Sequence, residues 1–159
     1  MVTEPGINAI KGQIVTLLKA NASLWDDPTH TTGFQKIEVG MPENGVFSGL
    51  AYPVCYVTND PKLETDKPYG PVISNAIGTS LHEFRFRIIF FDQKEDGQAA
   101  EASLDSYYKT IKEVLKSNNN LAGLVIENFP IEGSSFALEM NGRPLDGRII
   151  IVRCRVGSN

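Results

Sequence analysis

The sequence predicts an α+β domain, a mostly antiparallel β-sheet with two α-helices packed on one face. Two segments, near residues 7–20 and 96–117, repeat apolar residues at spacings of three and four, the mark of an amphipathic helix. Several others alternate apolar and polar residues or run apolar over strand lengths, with Asn-Gly and Asp-Gly turn signals near the end of the chain. The order is helix, strands, a long loop, strand, helix, strands. With 159 residues, 42% hydrophobic and 21% charged, the chain holds enough for one core and too little for two, so residues 1–159 read as a single domain.

The first helix carries Ile7, Ile10, Ile14, Leu17 and Leu18 on one stripe. Thr3 before Glu4-Pro5 supplies a start signal, because proline is tolerated in a first turn. Gly12 lowers helix propensity by up to about 1 kcal/mol, which marks it for a close backbone approach. Phe34–Val39 reads as a short strand. In AYPVCYVTN both faces are apolar, and Pro53, which has no N–H for a ladder, belongs at an edge or a strand start. The second helix runs from a cap at Asp96 to about Ser117, with Ala100, Leu104, Tyr108, Ile111 and Leu115 on its stripe and SNNN ending it. Leu124–Phe129, Ser135–Met140 and Arg148–Val156 read as strands, with turns at Asn141-Gly142 and Asp146-Gly147.

Two features stand out. Asp60–Thr79 is about twenty residues without a clean period, and loops of that length inside a compact domain are usually functional or disordered. Pro71–Ile77 within it suits one strand of a protruding hairpin. The second feature is EFRFRIIFFD, residues Glu83 to Asp92. Phe84, Phe86, Ile88 and Phe90 point one way, while Glu83, Arg85 and Arg87 point the other and then give way to Ile89 and Phe91. The last strand behaves alike, with Ile149 and Ile151 followed by Arg153 and Arg155 opposite Ile150, Val152, Cys154 and Val156. A sheet with helices on one side keeps its other side polar unless something covers it. Arg85, Arg87, Ile89, Phe91, Ile149, Ile151, Arg153 and Arg155 are therefore the candidate subunit interface, an apolar patch with an arginine rim. The competing account is that Asp60–Thr79 folds back over the patch.

Catalytic chemistry is hard to find. His30 and His82 are the only histidines, and His82 falls on the core face of its strand. Asp26, Asp27 and His30 stand together in WDDPTH without a metal-ligand spacing, so they read as an ordinary loop. No GxxxxGK[ST], GxGxxG or GxSxG motif occurs. Cys55 and Cys154 are the only cysteines; both sit in strand-like runs and read as buried free thiols. The net charge of −4 and scattered basic residues disfavour tight nucleic-acid binding, and FRFR splits its aromatic and basic side chains between opposite faces. No apolar run approaches the roughly 20 residues of a membrane span, and the N-terminus does not read as a secretion signal. The expectation is no enzyme activity, no cofactor, no metal and no membrane.

The helix INAIKGQIVTLLKA, the tyrosine-proline strand AYPVCYV, the strand HEFRFRIIFFD, the helix AAEASLDSYYKTIKEVLKSNNNLAGL and the closing strand GRIIIVRCRV follow one another in an order that resembles the tail terminator (tail-completion) and related neck proteins of long-tailed bacteriophages. The likeness spans nearly the whole chain and is one of element order, without a diagnostic motif. It implies a structural virion protein assembled in the host cytoplasm. Such a protein forms a hexameric ring, caps the finished tail tube, and gives the head-side neck protein its joint. DNA passes through the centre without being specifically bound. Lys62, Glu64, Asp66, Lys67 and Tyr69, in the long loop, are the candidates for partner contact, read from the strand and loop pattern. A head–tail stopper or tail tube protein is the nearest alternative. A small-ligand or nucleic-acid binding module with a cleft near Tyr69 and Trp25 is the next, and a hydrolase dependent on His30 the last.

Overall fold

A computed structural model describes residues 6–26, 33–41, 52–65, 80–94, 97–125, 127–140 and 143–158. The chain order is α1 (Ile7–Lys19), β1 (Lys36–Val39), β2 (Val54–Thr65), β3 (Ser80–Gln93), α2 (Gly97–Ser117), β4 (Glu127–Met140) and β5 (Arg143–Ser158). The strands form one sheet in the order β1-β2-β3-β5-β4, antiparallel throughout except for the parallel pair β1–β2. The fold is the expected α+β arrangement, with both helices on the same face. α1 lies over β1 and β2, and α2 over β3, β5 and β4.

The stripes of both helices do what their spacing requires. Ile10, Ile14 and Leu18 of α1 and Ala100, Leu104, Ile111 and Leu115 of α2 are buried. All of these but Ala100 join one cluster with the inward-facing rows Phe84–Phe86–Ile88–Phe90 of β3 and Ile150–Val152–Cys154–Val156 of β5, together with Cys55 and Val57 of β2. Each large side chain taken fully out of water contributes about 1.5–3 kcal/mol, so this layer dominates the stability of the domain. Phe34 closes its rim, stacking on Tyr107 at 4.4 Å and meeting Phe90 edge-on at 6.1 Å.

The end of α2 is held by a side chain from the next strand. The Asn128 amide nitrogen lies 3.2, 3.0 and 2.8 Å from the carbonyl oxygens of Leu115, Asn118 and Asn119. It thereby serves carbonyls that have no partner inside the helix. Leu121, Ala122 and Gly123 then follow at positive φ and turn the chain toward β4.

Several expectations are corrected. Gly12 marks no close approach: a Cβ built there meets nothing within 4 Å. The segment after Asn59 is not all loop, because Asp60–Thr65 continue β2, with Glu64 opposite Phe84 and Thr65 opposite Glu83. The rest of the expected loop, residues 66–79, lies outside the described residues, as do Thr3-Glu4-Pro5, His30 and the Asn141-Gly142 turn. Leu124–Phe129 and Ser135–Met140 are not two strands: one strand, β4, runs from Glu127 to Met140 through Pro130 and Gly133. Asp146-Gly147 is not a turn but part of β5, where Asp146 stands opposite Asp92 and Gly147 opposite Phe91.

Candidate functional site

The face of the sheet away from the helices has two unlike ends, and a bulge in β4 creates the difference. Between Glu132 and Ser135 the strand advances three residues while β5 advances two, from Ile150 to Arg148. One extra residue reverses the side on which each following side chain emerges. Before the bulge Phe129 and Ile131 share a face with Arg153 and Ile151, and after it Phe136 stands opposite Gly147 on that same face. Gly133 sits in the bulge where the backbones close up; a Cβ there would be 2.7 Å from the Ile149 carbonyl oxygen.

At the first end Val54, Tyr56, Ile89, Phe91 and Leu145 form a second buried cluster, with Tyr52, Phe136 and Ile149 packed against it. Phe136 lies across Gly147, where a Cβ would come within 2.3 Å of the ring, and reaches Phe91 edge-on at 5.4 Å. Ile89 and Phe91 are consequently only 8% and 3% exposed. The expectation that they sit on an uncovered face is corrected: side chains of the same chain enclose them. Burial also pushes the Tyr56 phenol up from its ordinary pKa, with smaller contributions from Glu38, Tyr52 and Cys55.

The other end stays open. Ile149, at the border with the closed cluster, and Ile151 are half-buried, and on the edge strand Ile131 opposite Ile151 and Phe129 opposite Arg153 are 40% and 37% exposed. Arginines flank this strip. Arg153 Nε donates to Glu83 Oε1 at 2.8 Å, Arg155 Nη1 to Glu127 Oε1 at 2.6 Å, and Arg87 Nε to Asp60 Oδ2 at 3.0 Å. Arg155 also lies 5.1 Å above the Phe129 ring. Glu83 and Asp60 are buried, so these pairs satisfy carboxylates that would be expensive to leave alone. Arg85 stands directly opposite Arg153 and has no hydrogen bond or ion pair among the described residues. Like charges facing across a ladder repel, which leaves Arg85 suited to a carboxylate from outside.

Of the eight interface candidates, the structure therefore brings Ile149, Ile151, Arg85, Arg87, Arg153 and Arg155 to one continuous surface and withdraws Ile89 and Phe91 from it. Of the loop candidates, Lys62 and Glu64 fall at the far end of β2, while Asp66, Lys67 and Tyr69 lie outside the described residues. Phe129 and Ile131 are not among the candidates, because the expected strand Leu124–Phe129 stops just before Pro130. The usable signal was their spacing of two, which an edge strand carries across a proline.

Cys55 and Cys154 are free and buried, and burial drives both thiols up, Cys154 to about 12. They are inert packing residues at neutral pH. Among the described residues no three His, Cys, Asp or Glu side chains stand close enough to hold a metal. None of the described helices is long and apolar enough to cross a membrane. No protein-family model and no curated protein matches the chain.

Proposed function

We propose that this chain is a structural subunit of a long-tailed bacteriophage, a tail terminator that forms a ring on the tail tube and joins it to the head-side neck. The observation that carries the reading is the apolar strip Phe129–Ile131–Ile149–Ile151 on and beside an edge strand, bordered by Arg85, Arg153 and Arg155. Exposed apolar side chains gathered beside an edge are what a neighbouring subunit buries, and arginine is favoured at the rims of such contacts. A stable contact takes about 800 Å² from each side, and successive copies joined head to tail close into a ring when the rotation permits. The resemblance in element order supplies the particular ring. The net charge of −4 suits a channel that lets DNA pass without gripping it.

The test is functional. Added to polymerising tail tube protein, the chain is expected to stop tube growth and to remain bound at one end. It is expected to give no product with a general panel of hydrolase substrates. Tubes that grow unchanged in its presence, with no bound cap by electron microscopy, contradict the proposal.

A further inference from the structure

Among the described residues the large hydrophobic side chains left exposed stand at opposite edges of the sheet. Phe129 and Ile131 lie on β4, while Val39 ends β1 and Met41 follows it, 42% and 37% exposed. A lone exposed apolar side chain needs no explanation, but two pairs confined to the two edges call for one.

The pairs are level with each other. Val39 stands opposite Val57, Val57 opposite Ile88, Ile88 opposite Ile150, and Ile150 opposite Glu132, the neighbour of Ile131. From that row β1 runs on in the direction in which β4 presents Ile131 and then Phe129. A second copy set beside the first, with little shift along the strands, therefore brings one pair to the other. Repetition without a steady shift lets a head-to-tail series close, whereas a shift at every step winds it into a filament.

The two edges do not add up to one continuous sheet. The Asn128 N–H donates to the Asn119 carbonyl oxygen at 2.8 Å, so the backbone of Asn128 faces away from β5. Two residues on, Pro130 faces the same way and has no N–H to offer. An added strand would find both of these donors unavailable, which is a recognised protection of sheet edges. The side chains agree. Ile131 shares the open face with Ile151, while Val39 follows Ile37 onto the helix side, where Ile37 joins the core with Cys55 and Val57. Pairs on opposite faces meet when one edge steps over the other, not when the two lie in one plane.

We propose that Val39 and Met41 of one copy pack on Phe129 and Ile131 of the next, in a stepped head-to-tail contact made by side chains. The inference rests on the ring reading above and names the surface that meets the apolar strip. Charge does not oppose it: Lys36 and Glu38, beside the β1 patch, pair with each other at 3.6 Å, so β1 brings no unmatched cation to the arginine rim.

Cross-linking the assembled protein with a short bismaleimide tests the contact, because Cys55 and Cys154 are fully buried and leave the wild type unlinked. Within one chain Val39 and Ile131 are four strand spacings apart, about 19 Å, so a short linker joins them only between copies. Val39→Cys/Ile131→Cys is expected to give a ladder of covalently joined copies, and each single variant to stay at one-chain mass. Glu38→Cys/Ile131→Cys is expected to link less, since Glu38 stands opposite Tyr56 on the other face of β1. Joined pairs from Ile131→Cys alone would mean that β4 meets β4, and stronger linking through Glu38 would mean one continuous sheet; either overturns the proposal. So does a Val39→Cys/Ile131→Cys variant that assembles by light scattering yet stays unlinked, a result that leaves the ring itself standing. A wild type that never assembles, alone or on tail tubes, brings down the ring reading and this contact with it. If the cysteine variants do not assemble, Val39→Asp decides. It is expected to keep its circular dichroism spectrum and to associate about tenfold more weakly, whereas assembly at full strength overturns the proposal.

Discussion

The two ends of the open face start from the same kind of sequence and reach opposite conditions. Ile89 and Phe91 alternate with inward residues on β3 as Ile149 and Ile151 do on β5. Yet the first pair is enclosed and the second is half-buried, Ile149 against the closed cluster and Ile151 beside the exposed Ile131. Phe136 largely makes the difference, brought to this side by the β4 bulge and allowed down onto the sheet by the bare backbone of Gly147. On the strand segment before the bulge, Phe129 and Ile131 are themselves exposed. Alternation decides which side a residue faces, while bulges and glycines decide whether that side is covered.

The sharpest way to break this comparison is to place the same charge at both ends. Phe91→Asp buries a carboxylate in a closed cluster and is expected to cost about 4 kcal/mol or more, leaving little folded protein by circular dichroism. Ile131→Asp puts the carboxylate into water. It is expected to change stability by no more than about 1 kcal/mol in denaturant titration while weakening self-association. Similar stability losses in the two variants would erase the distinction. Gly147→Ala tests the cover itself: the new methyl group must displace the Phe136 ring, and an expected loss of about 1–3 kcal/mol would appear as a lower denaturant midpoint.

The helix-side core makes a pH prediction with a definite sign. Burial raises the Cys55 and Cys154 thiols above the ordinary value of 9.0, Cys154 to about 12. A group whose folded pKa lies above its unfolded one adds stability that is whole below the unfolded pKa and drains away as pH climbs toward the folded one. Stability is therefore expected to hold from neutrality to about pH 9 and to fall above it. Replacing both cysteines with alanine is expected to flatten that fall, measured by denaturant titration at each pH. The smallest effect is on α1, where Gly12→Ala enters open space on a helix and is expected to stabilise by about 0.5–1 kcal/mol.

The helices and the sidedness of β3 and β5 were legible because a single residue spacing carries them. Ile10, Ile14 and Leu18 declare one helical face, and Phe84, Phe86, Ile88 and Phe90 one strand face, whatever surrounds them. Coverage of the open face was not legible, since it depends on register between segments far apart in the chain. Nothing local to FPIEGSSF says that one residue is left over against β5, so Phe136 could not be assigned to the Phe91 side. Asp146-Gly147 was misread for a related reason. The pair has turn chemistry, but the cross-strand partners Asp92 and Phe91 hold it in the sheet. The Asp92–Asp146 juxtaposition likewise exists only once that register is known.

The central claim is that the open end of this face is covered by another copy of the chain. Light scattering on the wild type and on the Phe129→Asp/Ile131→Asp double variant tests it most directly. The expected result is a wild-type particle with the mass of a ring of subunits, alone or on tail tubes, and a double variant of single-chain mass with an unchanged circular dichroism spectrum. A wild type that stays at single-chain mass at every concentration and with tubes present, or a double variant that assembles as the wild type does, would contradict it.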